Sequence, residues 1–288
     1  MCQVSVNAVE NTAIKGSGST VHYFQRVTLL VSLFAFVLLS AGCGQSFSET
    51  DQAKDSSVVQ LQEDVSAKQP TPVPIDTALY DQKNIQLANG DSSGLWPVKA
   101  PYPLPGAIFP FKRVVSYYGN LYSKRMGILG ELPPAEMLAK LKGEVKKWEA
   151  ADTATEVLPA LHYIAVTAQE SPGKGGKYRL RMPFHQIDSV LKMAEKIDAI
   201  TFVDVQVGLS TLQEEIPQLE KYLLMPDVHL GIDPEFSMKG GHRPGTVIGT
   251  FNADDINYVT GYLAELVKKN NLPPKILVIH RFTQGMVT

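Results

Sequence analysis

The chain has 288 residues, 44% of them apolar and 19% charged, and its 27 basic and 29 acidic side chains leave a formal charge of −2. This is ordinary globular composition, enough for one large domain or two small ones, and it excludes wholesale disorder and an electrostatic grip on nucleic acid. The two cysteines, Cys2 and Cys43, cannot build a disulfide framework, a zinc ribbon or an iron–sulfur site.

The first predicted element is an address. Residues 27–42 form an uncharged, mostly apolar run with Arg26 directly before it and Lys15 further upstream, which is the order of a secretory signal. The run of 16 residues is short of the roughly 20 that a bilayer-spanning helix needs. It ends in Leu39, Ser40, Ala41, Gly42 and Cys43, small residues before a cysteine, as in a bacterial lipobox. Residues 1–42 are therefore expected to be a lipoprotein signal peptide with Cys43 as the lipidation site. The rest of the chain is then exported and anchored to the bacterial cell membrane or outer membrane; the alternative is an uncleaved anchor. The leader before the apolar run is long, so a translation start downstream of Met1 is expected. Residues 43–75, rich in Ser, Gln and Asp and closing on Pro70–Pro74, read as a disordered tether. Residues 76–112, with Trp96 and a Pro-rich stretch, read as an irregular lead-in and not as a helix.

From residue 113 onward the chain alternates strand and helix. Buried strands are predicted at Val114–Tyr118, Leu161–Ala168, Ile200–Val207, Val228–Ile232 and Ile276–His280. Between them the apolar residues recur at helical spacing. The sets are Met137, Leu138, Leu141, Val145 and Trp148; then Ile187, Val190, Leu191, Ala194 and Ile197; then Leu212, Ile216, Leu219 and Leu223, with Pro217 as a kink. The last helix is the clearest, with Asn252 as cap, Asp254 and Asp255 in its first turn and Lys268 and Lys269 at its end, the polarity a helix dipole favours.

Such alternation implies an α/β fold with a parallel sheet and right-handed crossovers. No Gly-rich phosphate turn follows the first strand, and the loop Ser171–Lys177 lacks P-loop spacing. In the third strand Val203, Val205 and Val207 share one face and Asp204 and Gln206 the other. In the fourth, Leu230 and Ile232 oppose His229, Gly231, Asp233 and Glu235, provided the strand extends that far. Polar residues accumulating inward toward the strand C-termini are the pattern of a (β/α)8 barrel. A full barrel takes about 250 residues, so residues 113–288 are expected to be a partial barrel, truncated after the fifth strand. The alternative is a five-stranded doubly wound sheet in the order 2-1-3-4-5, with helices on both faces.

The candidate chemistry sits at the strand ends. Asp204, Asp233 and Glu235 are the candidate catalytic carboxylates; where such groups cluster, one pKa rises while another stays low, as glycoside hydrolysis requires. Asn120, Gln169, Gln206, His280 and Arg281 are the candidate substrate-binding groups, with Glu170 beside them and Tyr117, Tyr118 and Tyr122 able to stack on sugar rings. Structural roles compete with each assignment: Asp233 could cap a loop or pair with Arg243 or Arg281, and His229 lies deep in its strand. His229, Asp233, Glu235 and His280 could together ligate a metal, but no local ligand spacing supports it, and neither a metal nor a cofactor is expected.

Taken together, Leu39–Cys43, Phe202–Gln206, Gly231–Phe236, Pro244–Gly249 and Leu277–Phe282 resemble a family of bacterial exported lipoproteins with a glycoside-hydrolase-like TIM barrel, over about residues 110–288. The resemblance implies fold and location and carries no reaction with it, and a chitinase-type DxxDxDxE signature is absent. The expectation is a surface-anchored lipoprotein that hydrolyses or binds polysaccharide. The alternative is a non-catalytic envelope-associated or carbohydrate-binding lipoprotein, since a barrel does not fix function.

Overall fold

The apolar runs become a curled parallel sheet of five strands, a half-barrel. The computed structural model describes residues 3–4, 74–96 and 100–288. Apart from Gln3 and Val4, which form β1 beside β7, the expected signal peptide lies outside these residues, as do Cys43 and nearly all of the expected tether. In chain order the elements are β1 (Gln3–Val4), α1 (Thr77–Ala88), β2 (Lys112–Gly119), α2 (Ile128–Glu131), α3 (Pro134–Ala151), β3 (Glu156–Ala168) and β4 (Arg179–Arg181). There follow α4 (Phe184–Glu195), β5 (Ile200–Val205), α5 (Leu212–Glu215), α6 (Glu220–Leu223), β6 (Val228–Ile232), α7 (Ala253–Asn270) and β7 (Ile276–Ile279). The sheet runs β1-β7-β6-β5-β3-β2, with β4 added antiparallel to β3. The five predicted strands thus lie side by side in chain order, and the 2-1-3-4-5 order is not found.

Strand alternation sorts the side chains as the sequence implies. Leu161, Tyr163, Val203, Val205, Leu230, Ile232 and Leu277 form the large core with Leu141 of α3, Val190 of α4, Leu212 of α5, Leu223 of α6 and Leu263 of α7. The other face holds a small cluster of Ala160, Ile200, Phe202 and Ile276, against which Ile108 and Phe109 of the lead-in pack. Above that small cluster the same face turns polar. An apolar face on the helix side and a mixed face on the concave side are what a barrel segment needs.

Two expectations need correction. Residues 76–112 are not wholly irregular, because α1 occupies Thr77–Ala88. Its limits are set by caps, the Asp76 carboxylate accepting from Leu79 N at 3.0 Å and Asn89 closing it at φ 47°. Only Asn84 is buried along α1, so it carries no apolar stripe for periodicity to detect. Trp148 of α3 is not in the core either; it is 47% exposed, with the Arg113 guanidinium 5.2 Å from its ring centroid. The Pro217 kink is as expected: the third helical segment divides into α5, a 3-10 turn over Ile216–Leu219, and α6.

The predicted cap of α7 closes in both directions. Asp255 N donates to Asn252 Oδ1 at 3.1 Å, and Asn252 N donates back to Asp255 Oδ2 at 2.8 Å. Asn252→Ala removes one half of this box and should cost about 1 kcal/mol, read as a lowered urea midpoint with an unchanged m-value; an unchanged midpoint would mean that α7 is held by packing alone.

Candidate functional site

The polar end of the concave face lies at the C-terminal ends of the parallel strands. Neighbouring strands place Tyr118 beside His162, His162 beside Phe202 and Asp204 beside Gly231. The register of β3 against β5 slips between Ile164 and Val166, an irregularity of the kind that re-aims side chains near sites. Ala168 N, just beyond it, donates to Gln206 Oε1 at 3.0 Å.

Asp204 is the centre of the arrangement and is fully buried. Its Oδ1 accepts from Val205 N at 3.0 Å. Its Oδ2 faces two imidazoles, with His280 Nε2 at 3.2 Å and His162 Nε2 at 3.8 Å, and the two nitrogens are 3.4 Å from each other. His280 arrives from the far side of β6. It can cross because Gly231 stands between; a Cβ there would lie 2.4 Å from His162 Nε2 and 2.6 Å from Asp204 Oδ1. Tyr118 closes over the histidines, its ring centroid 5.2 Å from that of His162 and 5.0 Å from that of His280. His162 in turn stacks on Phe202 at 4.9 Å.

Gln206 joins this centre to the second carboxylate. Its Nε2 donates to Asp233 Oδ2 and to Tyr118 Oη, both at 3.3 Å. Asp233 also caps the turn that follows β6, with Oδ1 accepting from Glu235 N at 3.2 Å. The strand stops at Ile232 and Pro234–Phe236 forms a 3-10 turn. Glu235 therefore does not continue the strand face shared with Asp233, as the spacing suggested; it sits half-buried on the turn above it.

The carboxylates titrate apart. Burial opposes ionisation of Asp204, but the charge of His280 and the contacts with both histidines outweigh it and hold its carboxyl below the ordinary range. Asp233 is pushed up to about 7, by burial first and then by the negative charge of Asp204. Burial also raises Glu235. For His280 the Asp204 carboxylate overrides the effect of burial and lifts the pKa to about 9, whereas burial prevails at His162 and lowers it. Tyr118 is raised by burial and by Asp204 and Asp233.

The remaining candidates are more peripheral. The Asn120 amide donates to Ile164 O at 3.0 Å and its Oδ1 accepts from Tyr122 N at 2.8 Å, so it clamps β2 to β3 and does not present itself to a ligand. Gln169 donates to Ser171 O at 3.1 Å within its own loop. Arg281 is exposed. Arg243 pairs with Glu170 at 3.5 Å and not with Asp233. The set His229, Asp233, Glu235 and His280 does not come together as metal ligands. His229 lies deeper, its Nδ1 accepting from Ile276 N at 3.1 Å, and burial lowers its pKa to about 3. Among the described residues, the ligand-type groups that do gather are His162, Asp204 and His280. His162 went unread because one polar residue in an apolar run carries little signal; its strand parity, shared with Ala160, was the available clue.

A separate cleft of ≈ 760 Å³ lies at the opposite ends of the strands, lined by Ile108, Leu158, Ile200, Thr201 and Val228 among others. It contains none of the polar cluster. No family model, curated protein or solved structure matches the chain.

A carboxyl with a raised folded-state pKa holds its proton more tightly in the native than in the unfolded state. Asp233 should therefore favour folding at acid pH and lose that contribution as pH rises from about 4 through about 7. Asp233→Asn should raise the melting temperature at pH 8 relative to the parent and change it little at pH 4. Equal shifts at both pH values would show that Asp233 ionises normally.

Proposed function

We propose that this chain is an exported, lipid-anchored hydrolase of polysaccharide, working from the strand-end mouth of a domain that represents the first five units of a (β/α)8-type barrel. The barrel reading is supported by the consecutive strand order and by the packing of α3, α4, α5, α6 and α7 on the convex core alone. The anchor is supported by the sequence of residues 27–43.

The observation that carries the hydrolytic reading is the convergence of Asp204, Gln206, Asp233 and His280 at the C-terminal ends of three neighbouring strands. In a barrel this is where catalytic groups gather. The roles follow from their surroundings. Asp233, protonated near neutrality, supplies the proton to a leaving glycosidic oxygen. Glu235, on the adjoining turn, serves as its partner carboxylate toward water or the sugar. Asp204 stays ionised, keeps Asp233 protonated and fixes His280. Asp204, held below the ordinary range, and Asp233, raised by burial, are driven apart in pKa, a separation of the kind that glycoside hydrolysis uses. His280 and the exposed Arg281 and Tyr122 offer hydrogen bonds and a ring face to the sugar, while Gln206 positions Asp233.

Release of reducing ends from a panel of envelope and environmental polysaccharides tests the reading. The parent should act on at least one, and Asp233→Asn and Glu235→Gln should each lower turnover by about a hundredfold or more while polysaccharide binding persists. Binding without turnover in the parent would make it a carbohydrate-binding lipoprotein. Equal turnover in parent and Asp233→Asn would remove Asp233 from the chemistry.

The location is tested separately. Cys43→Ser should abolish fatty acylation and release the chain from the membrane fraction or leave it unprocessed. A Cys43→Ser chain still acylated and membrane-bound would overturn the anchor.

A further inference from the structure

We infer that His162, Asp204 and His280 form a binding site for a single divalent transition-metal ion of the zinc type. The three residues come from β3, from β5 and from the position just after β7, and they bring two Nε2 atoms and one carboxylate oxygen together. Their separations are 3.2, 3.4 and 3.8 Å. Ligands at the usual zinc distances of about 2.0–2.2 Å, placed tetrahedrally, stand about 3.3–3.6 Å from one another. The triangle therefore already has nearly the size that one ion would impose.

A second observation points to a ligand independently. Asp204 Oδ2 is buried, and no donor meets it in hydrogen-bonding geometry, although two imidazoles stand close by. Buried carboxylate oxygens are rarely left so. Oδ1 is held by Val205 N, which turns Oδ2 toward the two nitrogens. An ion at the centre would satisfy Oδ2 and both imidazoles together, taking the place of the proton that His280 otherwise holds.

The surroundings are those of an open site. Gly231 leaves the space that a side chain would fill. His162 is fixed against Phe202, while the His280 side chain remains 30% exposed and gives a path from solvent. Three protein ligands with access to water leave a fourth position, as in metal centres that act on substrate rather than in closed structural ones. Two nitrogens and one oxygen suit zinc and its first-row neighbours better than calcium or magnesium, which take oxygen ligands. The inference is independent of the hydrolytic reading, which describes the site without an ion: an ion bound to Asp204 and His280 would neutralise the charge that helps keep Asp233 protonated, and ion binding is measured without substrate.

The test uses the full chain in detergent, stripped with a chelator and titrated with Zn2+ by calorimetry. One equivalent should bind, and Zn2+ should raise the melting temperature. His162→Ala and His280→Ala should each weaken binding at least a hundredfold, while His242→Ala, on an exposed loop residue outside the cluster, should leave it unchanged. Co2+ bound to the unaltered chain provides a readout that needs no variant to fold, because a tetrahedral nitrogen–oxygen site gives an intense visible absorption. Absence of stoichiometric Zn2+ binding by the unaltered chain would overturn the inference. So would a Co2+ spectrum of the hexa-aquo type, or full Zn2+ affinity in a folded His162→Ala, His280→Ala double variant.

Discussion

The carboxylate of Asp204 lies on the concave face of the sheet with no exposure to solvent, and a negative charge so placed must be compensated within the protein. Left alone it would cost several kcal/mol or take up a proton. The compensation comes from strands on either side. His162 stands on β3 and His280 follows β7, and Gly231 of the intervening β6 carries no side chain that would keep them apart. The strand order, the pleat and that glycine are thus all conditions for one buried charge. The charge in turn bears on the rest of the mouth: it adds to burial in raising the pKa of Asp233, and against burial it keeps His280 protonated well above neutral pH. Gln206 transmits the arrangement by holding Asp233 and Tyr118 at once.

The two faces of the sheet divide the work of the fold. The convex face, with Leu161, Tyr163, Val203, Leu230 and Leu277 against α3, α4, α5, α6 and α7, buries the apolar area that stabilises the domain. The concave face has only a small apolar cluster at its lower end and is free to carry polar groups above it. Polar groups placed on strand ends and stability placed on the helix side are separable, which is how barrel-type sheets tolerate varied chemistry. The same separation explains why the large cleft at the lower end, apolar for much of its lining, lies away from every titrating group of the mouth.

What the sequence disclosed follows from what alternation and capping record. Val203 and Val205 against Asp204 and Gln206, and Leu230 and Ile232 against Gly231 and Asp233, gave the facing of β5 and β6 without any coordinates. The α7 capping box was legible for the same local reason, since Asn252 and Asp255 are three residues apart. Other features depend on contacts distant in the chain. The pairing of His162 with His280 spans 118 positions and leaves no local pattern. Glu235 was placed on the strand face because spacing alone does not register that Asp233 caps a turn through its own side chain. The helix α1 leaves little trace in the sequence because its faces are nearly uniform in polarity and only its caps mark it.

The most direct measurement of the central claim is a double-mutant cycle between Asp204 and His280 on the metal-stripped protein, read as unfolding free energy. If the buried charge is compensated by that imidazole, Asp204→Asn and His280→Gln should each destabilise, and the double variant should lose clearly less than the sum, with a coupling of about 1 kcal/mol or more. Strictly additive losses would contradict the account, because they would mean that Asp204 is buried without reference to His280 and that the mouth is not organised around its charge.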